Sequence, residues 1–233
     1  MTDLDYGRFE ALTFDCYGTL IDWEAGITAA LRQVLGAAGT GSSDDELLGA
    51  FADIEAPAEA GRYRRYRDIL ALAARGVATR YGVEPAEATV AAFADSVGAW
   101  PAFPDSAAAL ARLHERFRLG VITNCDDDLF ARSALRLDTT FDWVITAQQA
   151  GRYKPDERPF QLTFERIGLP HDRILHVAQS LFHDHVTAKR LGLTTVWIDR
   201  RGGRVGGATP PAAAMPDATF PDMASFAEAA TRR

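Results

Sequence analysis

Apolar and polar positions alternate along the chain in a pattern that predicts strands and helices in turn. Five short apolar runs have the length and bounds of buried strands, at residues 9–14, 119–123, 143–146, 174–178 and 194–198. Helical patterns precede the last four of these runs, at residues 105–116, 129–137, 158–167 and 184–191. This repeated order of helix and strand predicts a parallel sheet that is covered on both faces.

The stretch between the first two predicted strands is helical throughout. Four helices are predicted over residues 24–35, 45–55, 63–80 and 85–97, with Ser42 and Ser43 as possible caps of the second and Pro85 as the first helical residue of the fourth. The pattern therefore predicts an α/β fold. A doubly wound, Rossmann-like catalytic core would comprise residues 1–18 and 98–233, and an inserted all-helical cap would comprise residues 19–97. Residues 200–211 are predicted to form an exposed flexible loop.

Charge and cysteine content narrow the function classes. The net charge of −7 argues against nucleic-acid binding, which needs a basic face. The acidic N-terminus has no apolar segment of a secretory signal, and no stretch approaches the roughly 20 apolar residues that span a bilayer. Two cysteines make no disulfide framework, so a cytoplasmic protein without membrane contact is predicted.

Reactive side chains follow four of the predicted strands, where the carboxyl ends of a parallel sheet place ligands. They are Asp15, Cys16 and Tyr17 after the first strand, Thr123 and Asn124 after the second, Lys154 after the third, and Gln179, Ser180, His183 and Asp184 after the fourth. Gly18 and Thr19 suit a tight reversal. Asp15 could act as a nucleophile that forms a covalent ester, or merely cap a turn. Lys154 could lower the pKa of Asp15, or be a solvated lysine.

Four segments, FDCYGTL, VITN, YKPD and HVAQSLFHD, resemble the ordered motifs of the haloacid dehalogenase superfamily. The resemblance covers nearly the whole chain, including the position of the helical insert. It implies that Asp15, Lys154 and Asp184 are catalytic. The other polar residues at the strand ends, which are Cys16, Tyr17, Thr123, Asn124, Gln179, Ser180 and His183, would then bind substrate.

The motifs predict a hydrolase without a metal ion or other cofactor. Phosphatases of this superfamily have a second aspartate where this chain has Tyr17, and an acidic ligand where it has Gln179. Magnesium prefers charged oxygen ligands. Tyrosine at position 17 resembles the L-2-haloacid dehalogenases. The implied reaction converts a small (S)-2-haloacid into a 2-hydroxy acid, through an Asp15 ester that water, activated near Asp184, hydrolyses. The backbone of Thr123 and Asn124 would bind the substrate carboxylate, and donors such as Asn124 would hold the leaving halide.

The chain departs from this branch at several positions. Relatives hold the leaving halide with an arginine early in the insert, where this chain has Ala50 or a neighbour. One of four arginines further on could replace it, although most would be solvated: Arg62, Arg64, Arg65 and Arg67. A family tyrosine is Phe160 here, and a serine and an asparagine are Gln179 and Leu181.

Other interpretations stay open at this point. The chain could hydrolyse an ester or a phosphate, or bind an organic acid without catalysis. A cysteine could be the nucleophile, although small buried packing residues are favoured. His183 could be a base, a pocket wall or a surface residue. Residues 126–128, three aspartates, are expected to face water at a helix start rather than bind metal. A homodimer, common in the family, is possible.

Overall fold

A six-stranded parallel sheet forms the centre of the protein. A computed structural model describes residues 4–203 and 212–232 of the chain. The strands lie in the order β3-β2-β1-β4-β5-β6. Their bounds are β1 (Ala11–Phe14), β2 (Arg118–Thr123), β3 (Trp143–Thr146), β4 (Ile174–Ala178), β5 (Thr194–Ile198) and β6 (Ala218–Phe220). The predicted doubly wound sheet is thereby confirmed, and its five predicted strands differ from the observed ones by two residues at most.

The central strand β1 sets the position of the site. Its four residues are fully buried, and Ala11 pairs with Arg118 on β2 and with Ile174 on β4. The chain builds β2 and β3 on one side of β1, then crosses to build β4, β5 and β6 on the other. Such a reversal leaves a crevice at the carboxyl ends of β1 and β4, which is where open α/β sheets bind ligands.

Four helices are inserted between β1 and β2 and pack on one another. We call them the helical insert: α1 (Trp23–Leu35), α2 (Asp44–Ala60), α3 (Tyr66–Arg80) and α4 (Glu87–Asp95). Helix α3 buries Ile69, Leu70, Ala73 and Val77, an apolar stripe at helical spacing. The remaining helices cover the sheet: α5 (Ser106–His114), α6 (Asp127–Ala134), α7 (Ala147–Ala150), α8 (Arg158–Ile167), α9 (Val186–Arg190) and α10 (Met223–Thr231). The division into a core and a cap domain stays a prediction.

Helix α2 begins as predicted but ends later. Ser43 is its N-cap and forms a capping box with Glu46, which satisfies the first free N–H groups. The predicted end at Glu55 is wrong, because the helix continues through Pro57 to Ala60. Pro57 lies on the exposed side of the helix. This extra turn brings Glu59 onto the same face as Glu55.

Other local predictions need correction. The fourth helix starts at Glu87, so Pro85 lies outside it. A single π-helical turn, Leu181–His185, precedes α9 and includes the first two residues of the helix predicted over 184–191. Strand β6 and helix α10 were not predicted, because β6 has only three residues and follows a polar stretch.

The segment predicted as an exposed loop is only partly described. Residues 204–211 lie outside the described part of the chain. Arg200, at the start of this segment, contradicts the prediction of an exposed loop: its guanidinium donates to both carboxylate oxygens of Asp105 at 2.9 Å. The side chain of Arg200 also stacks on Phe103 and is mostly buried.

No helix within residues 4–203 and 212–232 is both long enough and apolar enough to cross a membrane.

Gly26 lets helix α1 approach Trp100, and this contact yields a testable prediction. A Cβ atom at Gly26 would lie 2.2 Å from Cγ of Trp100. We expect Gly26→Ala to lower the free energy of unfolding by about 2 kcal/mol, the usual cost of overpacking a core. At Gly49 in helix α2 a Cβ would meet nothing within 4 Å. Gly49→Ala should therefore raise the same quantity by about 0.5–1 kcal/mol. Urea unfolding of both variants checks this, and equal effects would contradict it.

Candidate active site

The turn after β1 presents Asp15 at the crevice. Gly18 has a φ of 98°, a conformation that suits glycine, and the N–H groups of Leu20 and Ile21 donate to the carbonyl of Cys16 at 2.8 and 3.0 Å. This tight turn brings Thr19 back to Asp15, so that Thr19 Oγ1 donates to Asp15 Oδ2 at 2.8 Å. The predicted reversal is confirmed, and Thr19 is in addition a positioning residue for the carboxylate.

Lys154 reaches Asp15 from the loop after β3. Its ammonium donates to Asp15 Oδ1 at 2.8 Å, to Asp184 Oδ1 at 2.7 Å and to the carbonyl of Ile122 at 2.8 Å. These three contacts use all three N–H donors of the ammonium. Lys154 is 2% exposed. The structure therefore places Lys154 as the partner of Asp15 and leaves the alternative of a solvated lysine without support.

Asp184 is held by a second partner that the sequence did not indicate. His176, inside strand β4, places Nε2 3.0 Å from Asp184 Oδ1 and Nδ1 3.0 Å from Thr13 Oγ1. An ionised carboxylate can only accept, so Nε2 of His176 donates to Asp184. Phe160 packs edge-on against the His176 ring at 5.2 Å. Asp184 Oδ2 is buried and has no hydrogen-bond partner within the described residues.

Burial and charge set the protonation of this cluster in opposite directions. Burial raises the pKa of the Asp15 carboxyl, the ammonium of Lys154 opposes that rise, and the charge of Asp184 adds to it. The predicted effect of Lys154, a lower pKa of Asp15, is therefore present, but burial outweighs it and the net shift of the Asp15 pKa is upward. Burial acts in the same direction on Asp184, but Lys154 and His176 outweigh it and hold the pKa of Asp184 well below its usual range. Burial opposes the charge on Lys154, yet the two carboxylates raise its pKa.

Asn124 fixes the backbone of Lys154. Its Oδ1 accepts from the N–H of Lys154 at 2.7 Å, and its Nδ2 donates to the carbonyl of Lys154 at 3.0 Å and to Glu59 Oε2 at 3.2 Å. Both amide hydrogens are therefore already used, although Asn124 lines the cavity as predicted. Thr123 is buried beside it, and its hydroxyl has no partner within the described residues. Thr123 does not line the cavity, so its role in substrate binding stays a prediction.

Cys16 does not line the cavity, which disagrees with its predicted role. Successive side chains of an extended chain point to opposite faces. Leu12, Phe14 and Cys16 accordingly enter the same hydrophobic core, while Asp15 faces the crevice. Cys16 is 0% exposed, so the prediction that it contacts substrate is corrected to a packing role.

Tyr17 lines the cavity with its ring, and its hydroxyl points away from Asp15. The hydroxyl donates to Cys125 Sγ at 3.4 Å and lies 3.0 Å from Ser133 Oγ. Burial raises the pKa of Cys16 well above its ordinary value and that of Cys125 to about 12. Both cysteines are free and buried, and thiols with such pKa values are poor nucleophiles. The cysteine-nucleophile alternative therefore has no support here.

The segment after β4 forms one wall of the cavity. Gln179, Ser180 and His183 all line it, as predicted. The hydroxyl of Ser180 accepts from the N–H of His183 at 3.0 Å and lies 3.1 Å from its Nδ1. Burial lowers the pKa of His183 to about 4, so the ring is neutral at pH 7. His183 is thus a wall residue, not a surface histidine.

The first of the three aspartates near α6 does not face water. Asp126 is 0% exposed and accepts from the backbone N–H groups of Tyr66 and Arg67 at 3.0 and 3.1 Å. These are the free N–H groups at the start of α3, so an aspartate of the core caps a helix of the insert. The expectation that these aspartates face water is wrong for Asp126, because the helical insert packs over this end of the sheet. Asp128 is exposed and pairs with Arg65 and Arg67.

A small cavity of about 60 Å³ lies between the core and the helical insert. The core contributes Asp15, Lys154 and Asp184, among others, and the insert contributes Trp23, Glu55, Glu59 and Tyr66. A single water molecule needs a cavity volume of roughly 10–15 Å³. The cavity therefore suits a ligand of only a few non-hydrogen atoms. An outer cleft of about 640 Å³ shares Glu59, Lys154 and His183 with it. The four insert residues were not predicted.

No arginine lines this cavity in the described part of the chain. Arg65 and Arg67 pair with aspartates at the surface of the protein, and Arg62 borders the outer cleft. Ala50 is buried inside α2. The prediction that most of these arginines are solvated is confirmed for Arg62, Arg64 and Arg65, which are exposed.

The donor set does not fit a divalent cation. Within the described residues no three His, Cys, Asp or Glu side chains are arranged to hold a metal ion. The ammonium of Lys154 lies between the two carboxylates that would be the ligands, at 2.8 and 2.7 Å. Tyr17, in place of a second aspartate, offers no side-chain oxygen to this point because its hydroxyl contacts Ser133. The metal-free mechanism stays a prediction.

Comparisons with known proteins agree with this geometry. A model of haloacid dehalogenase-like hydrolases matches residues 9–192. The chain is similar to an (S)-2-haloacid dehalogenase of Pseudomonas putida, at 26% identity over 200 residues that cover 84% of this chain and 87% of that protein. It is also similar to (S)-2-haloacid dehalogenase 4A of Burkholderia cepacia, at 24% identity over 198 residues that cover 82% and 84% of the two chains.

A solved structure shows the same fold. The L-2-haloacid dehalogenase of Xanthobacter autotrophicus superposes with a TM-score of 0.80 over 94% of this chain and 97% of its own, at 20% identity. At that identity the likeness is one of fold, so the chemistry must be argued from the side chains at the crevice.

Proposed function

Because the chain belongs to the haloacid dehalogenase-like hydrolases, we propose that it hydrolyses the carbon–halogen bond of a small 2-haloacid, with Asp15 as the covalent nucleophile. The contact of 2.8 Å between Lys154 Nζ and Asp15 Oδ1 carries this proposal. It orients the carboxylate and stabilises its charge inside a cavity that only a small substrate can enter. The similarity to (S)-2-haloacid dehalogenases supports the choice of substrate.

The first step is a displacement at the α-carbon. A carboxylate oxygen of Asp15 forms a bond to that carbon while the carbon–halogen bond breaks, and the halide leaves with the bonding electron pair. Attack from the side opposite to the halide inverts the configuration. Thr19 and Lys154 hold the two oxygens of Asp15, so the carboxylate is positioned before substrate arrives.

The second step returns Asp15 to its starting state. A water oxygen attacks Cγ of the ester, the bond between Cγ and the ester oxygen breaks, and the 2-hydroxy acid leaves with one proton of the water. The other proton is released to solvent. Asp184 Oδ2, which is buried without a partner in the described part of the chain, is the acceptor available to this water. His176 and Lys154 hold its other oxygen in place.

Halide release tests the proposal. We expect the protein to release chloride from (S)-2-chloropropionate at the same rate with and without EDTA, and mass spectrometry of a quenched reaction to find the acyl ester on Asp15. The (R)-enantiomer is the matched control and should react at least about tenfold more slowly, since the cavity is small and chiral. Magnesium-dependent phosphate release without any halide release would contradict the proposal.

The proposal extends to the partners, the cellular location and the oligomeric state of the protein. The substrate is a small organic acid, without nucleic-acid or membrane partners, and the net charge of −7 supports the first exclusion. Two free cysteines support a reducing, cytoplasmic location. A homodimer remains part of the proposal, and light scattering would test it.

A further inference from the structure

Two carboxyl groups of the helical insert line the same cavity as the nucleophile. Glu55 and Glu59 are four residues apart on α2, so both side chains leave the same face of the helix. Both line the cavity that contains Asp15, Lys154 and Asp184. Glu55 is 8% exposed and Glu59 is half-buried. Acidic residues at this position are unexpected in a site that must release an anion.

Each of the two carboxyl groups has one oxygen fixed as an acceptor. The Tyr66 hydroxyl donates to Glu55 Oε1 at 3.2 Å, and Asn124 Nδ2 donates to Glu59 Oε2 at 3.2 Å. The other oxygens, Glu55 Oε2 and Glu59 Oε1, have no hydrogen-bond partner within the described residues. A proton on either carboxyl therefore resides on an oxygen that is free to donate into the cavity.

The charge of the cavity favours protonation of both groups. Asp15, Asp184 and Lys154 already leave it with one net negative charge, and two ionised glutamates would raise this to three in a space largely screened from water. Burial raises the pKa of Glu55 to about 7, and burial together with the charge of Glu55 raises that of Glu59 well above its usual value.

The direction of the displacement selects this wall for the leaving group. The halide departs on the side of the α-carbon opposite to Asp15, away from the sheet that carries the nucleophile, and the insert supplies the part of the cavity lining that does not come from the sheet and its loops. Building on the proposed function, we propose that Glu55 and Glu59, in their protonated form, donate hydrogen bonds to the departing halide. The protons stay on the glutamates, and the halide takes only the bonding electron pair. The two glutamates thereby stabilise the leaving halide, as an arginine could. No arginine lines this cavity in the part of the chain that the structure describes.

The proposal predicts a pH dependence whose sign follows from the donors. The donors exist below the pKa of each glutamate, so leaving-group stabilisation is present at low pH and is lost as the pH rises through about 7 and above. The titratable and charged groups that line the cavity or the outer cleft with the pair are Asp15, Tyr17, Arg62, Tyr63, Tyr66, Arg152, Tyr153, Lys154, Asp156, His183 and Asp184. Of these, His183 is neutral throughout this range, because burial lowers its pKa to about 4.

The double variant E55Q/E59Q is the decisive comparison, because each amide keeps a neutral N–H donor at all pH values. We expect kcat/KM of the wild type on (S)-2-chloropropionate to fall about tenfold or more from pH 7 to pH 9, as free-enzyme groups titrate. The variant should lose this alkaline fall. D53N, on the exposed side of α2 with its carboxylate bound to Arg80, is the matched control and should keep the wild-type profile.

Halide binding to the free enzyme separates this proposal from the proposed function. Bromide affinity, measured by calorimetry, should weaken with rising pH in the wild type and stay constant in E55Q/E59Q. Trp23 also lines the cavity, so W23F should lower turnover equally at every pH. An unchanged alkaline fall in E55Q/E59Q, or pH-independent bromide binding in the wild type, would overturn the role of the pair. Absence of halide release from every haloacid, with bromide binding as predicted, would overturn only the proposed function.

Discussion

Replacement of Asp15 by asparagine should lower the rate of halide release by about 10⁴-fold or more, because the amide cannot form the ester on which both steps depend. The fold should survive, since Thr19 can still donate to the amide oxygen at position 15. Circular dichroism and urea unfolding would establish this. The measurement is turnover on (S)-2-chloropropionate with ion-selective detection.

An isotope experiment on the wild type separates the covalent path from direct attack by water. In a single turnover in ¹⁸O-labelled water, the label should enter the Asp15 carboxylate and be absent from the product. D138N, at an exposed aspartate with a φ of 45° that asparagine also tolerates, should keep full activity. Label in the product of the first turnover would refute the ester intermediate.

Replacement of Lys154 by methionine should have the largest effect on stability. The change leaves Asp15 and Asp184 together in a buried site without their cation, and breaking such a contact usually costs about 3–5 kcal/mol. Turnover should fall about 10³-fold or more, because the nucleophile loses both orientation and charge stabilisation. Urea unfolding at several pH values measures the first effect.

The sign of the pH dependence distinguishes this cause from a simple packing defect. Without Lys154 the pKa values of Asp15 and Asp184 rise, so the two carboxyls bind protons more readily in the folded state. The stability deficit of K154M relative to the wild type should therefore shrink as the pH falls from 8 to 5. Lys189, the other lysine of the chain, pairs with Asp217 near the surface, and K189M should cost less than about 1 kcal/mol with no such trend. A K154M deficit that is the same at every pH would contradict the electrostatic account.

Much of the fold follows from short-range pattern. The buried strands β1 to β5 are apolar runs, and their order with intervening helices requires a parallel sheet. Strand β6 could not be predicted from the sequence pattern, because three residues are too few to show a hydrophobic period. It forms by pairing with β5. The end of α2 could not be predicted in this way, because proline usually ends a helix. Pro57 lies on the exposed side of α2, and the helix continues past it.

The convergence of the three residues proposed to be catalytic could be predicted, and their surroundings could not. Asp15, Lys154 and Asp184 stand at strand ends, and topology alone brings strand ends together. His176 lies within strand β4. A single polar residue in this apolar run is the sequence feature that indicates a buried polar contact there. No pattern in the sequence distinguishes Glu55 and Glu59 from other acidic residues. Only the long-range packing of the insert places them in the cavity. The net rise in the pKa of Asp15 could not be predicted for the same reason, because burial is a property of the whole fold.

The bond between Asp126 and the start of α3 restricts which helical insert this core can accept. Together with the hydroxyl of Tyr153, which donates to the carbonyl of Arg64 at 2.8 Å, it ties this end of the insert to the core. Asp126 is buried, so removal of its partner N–H groups would leave its carboxylate unsatisfied. An insert grafted from a relative would therefore keep this contact only if its corresponding helix starts opposite Asp126.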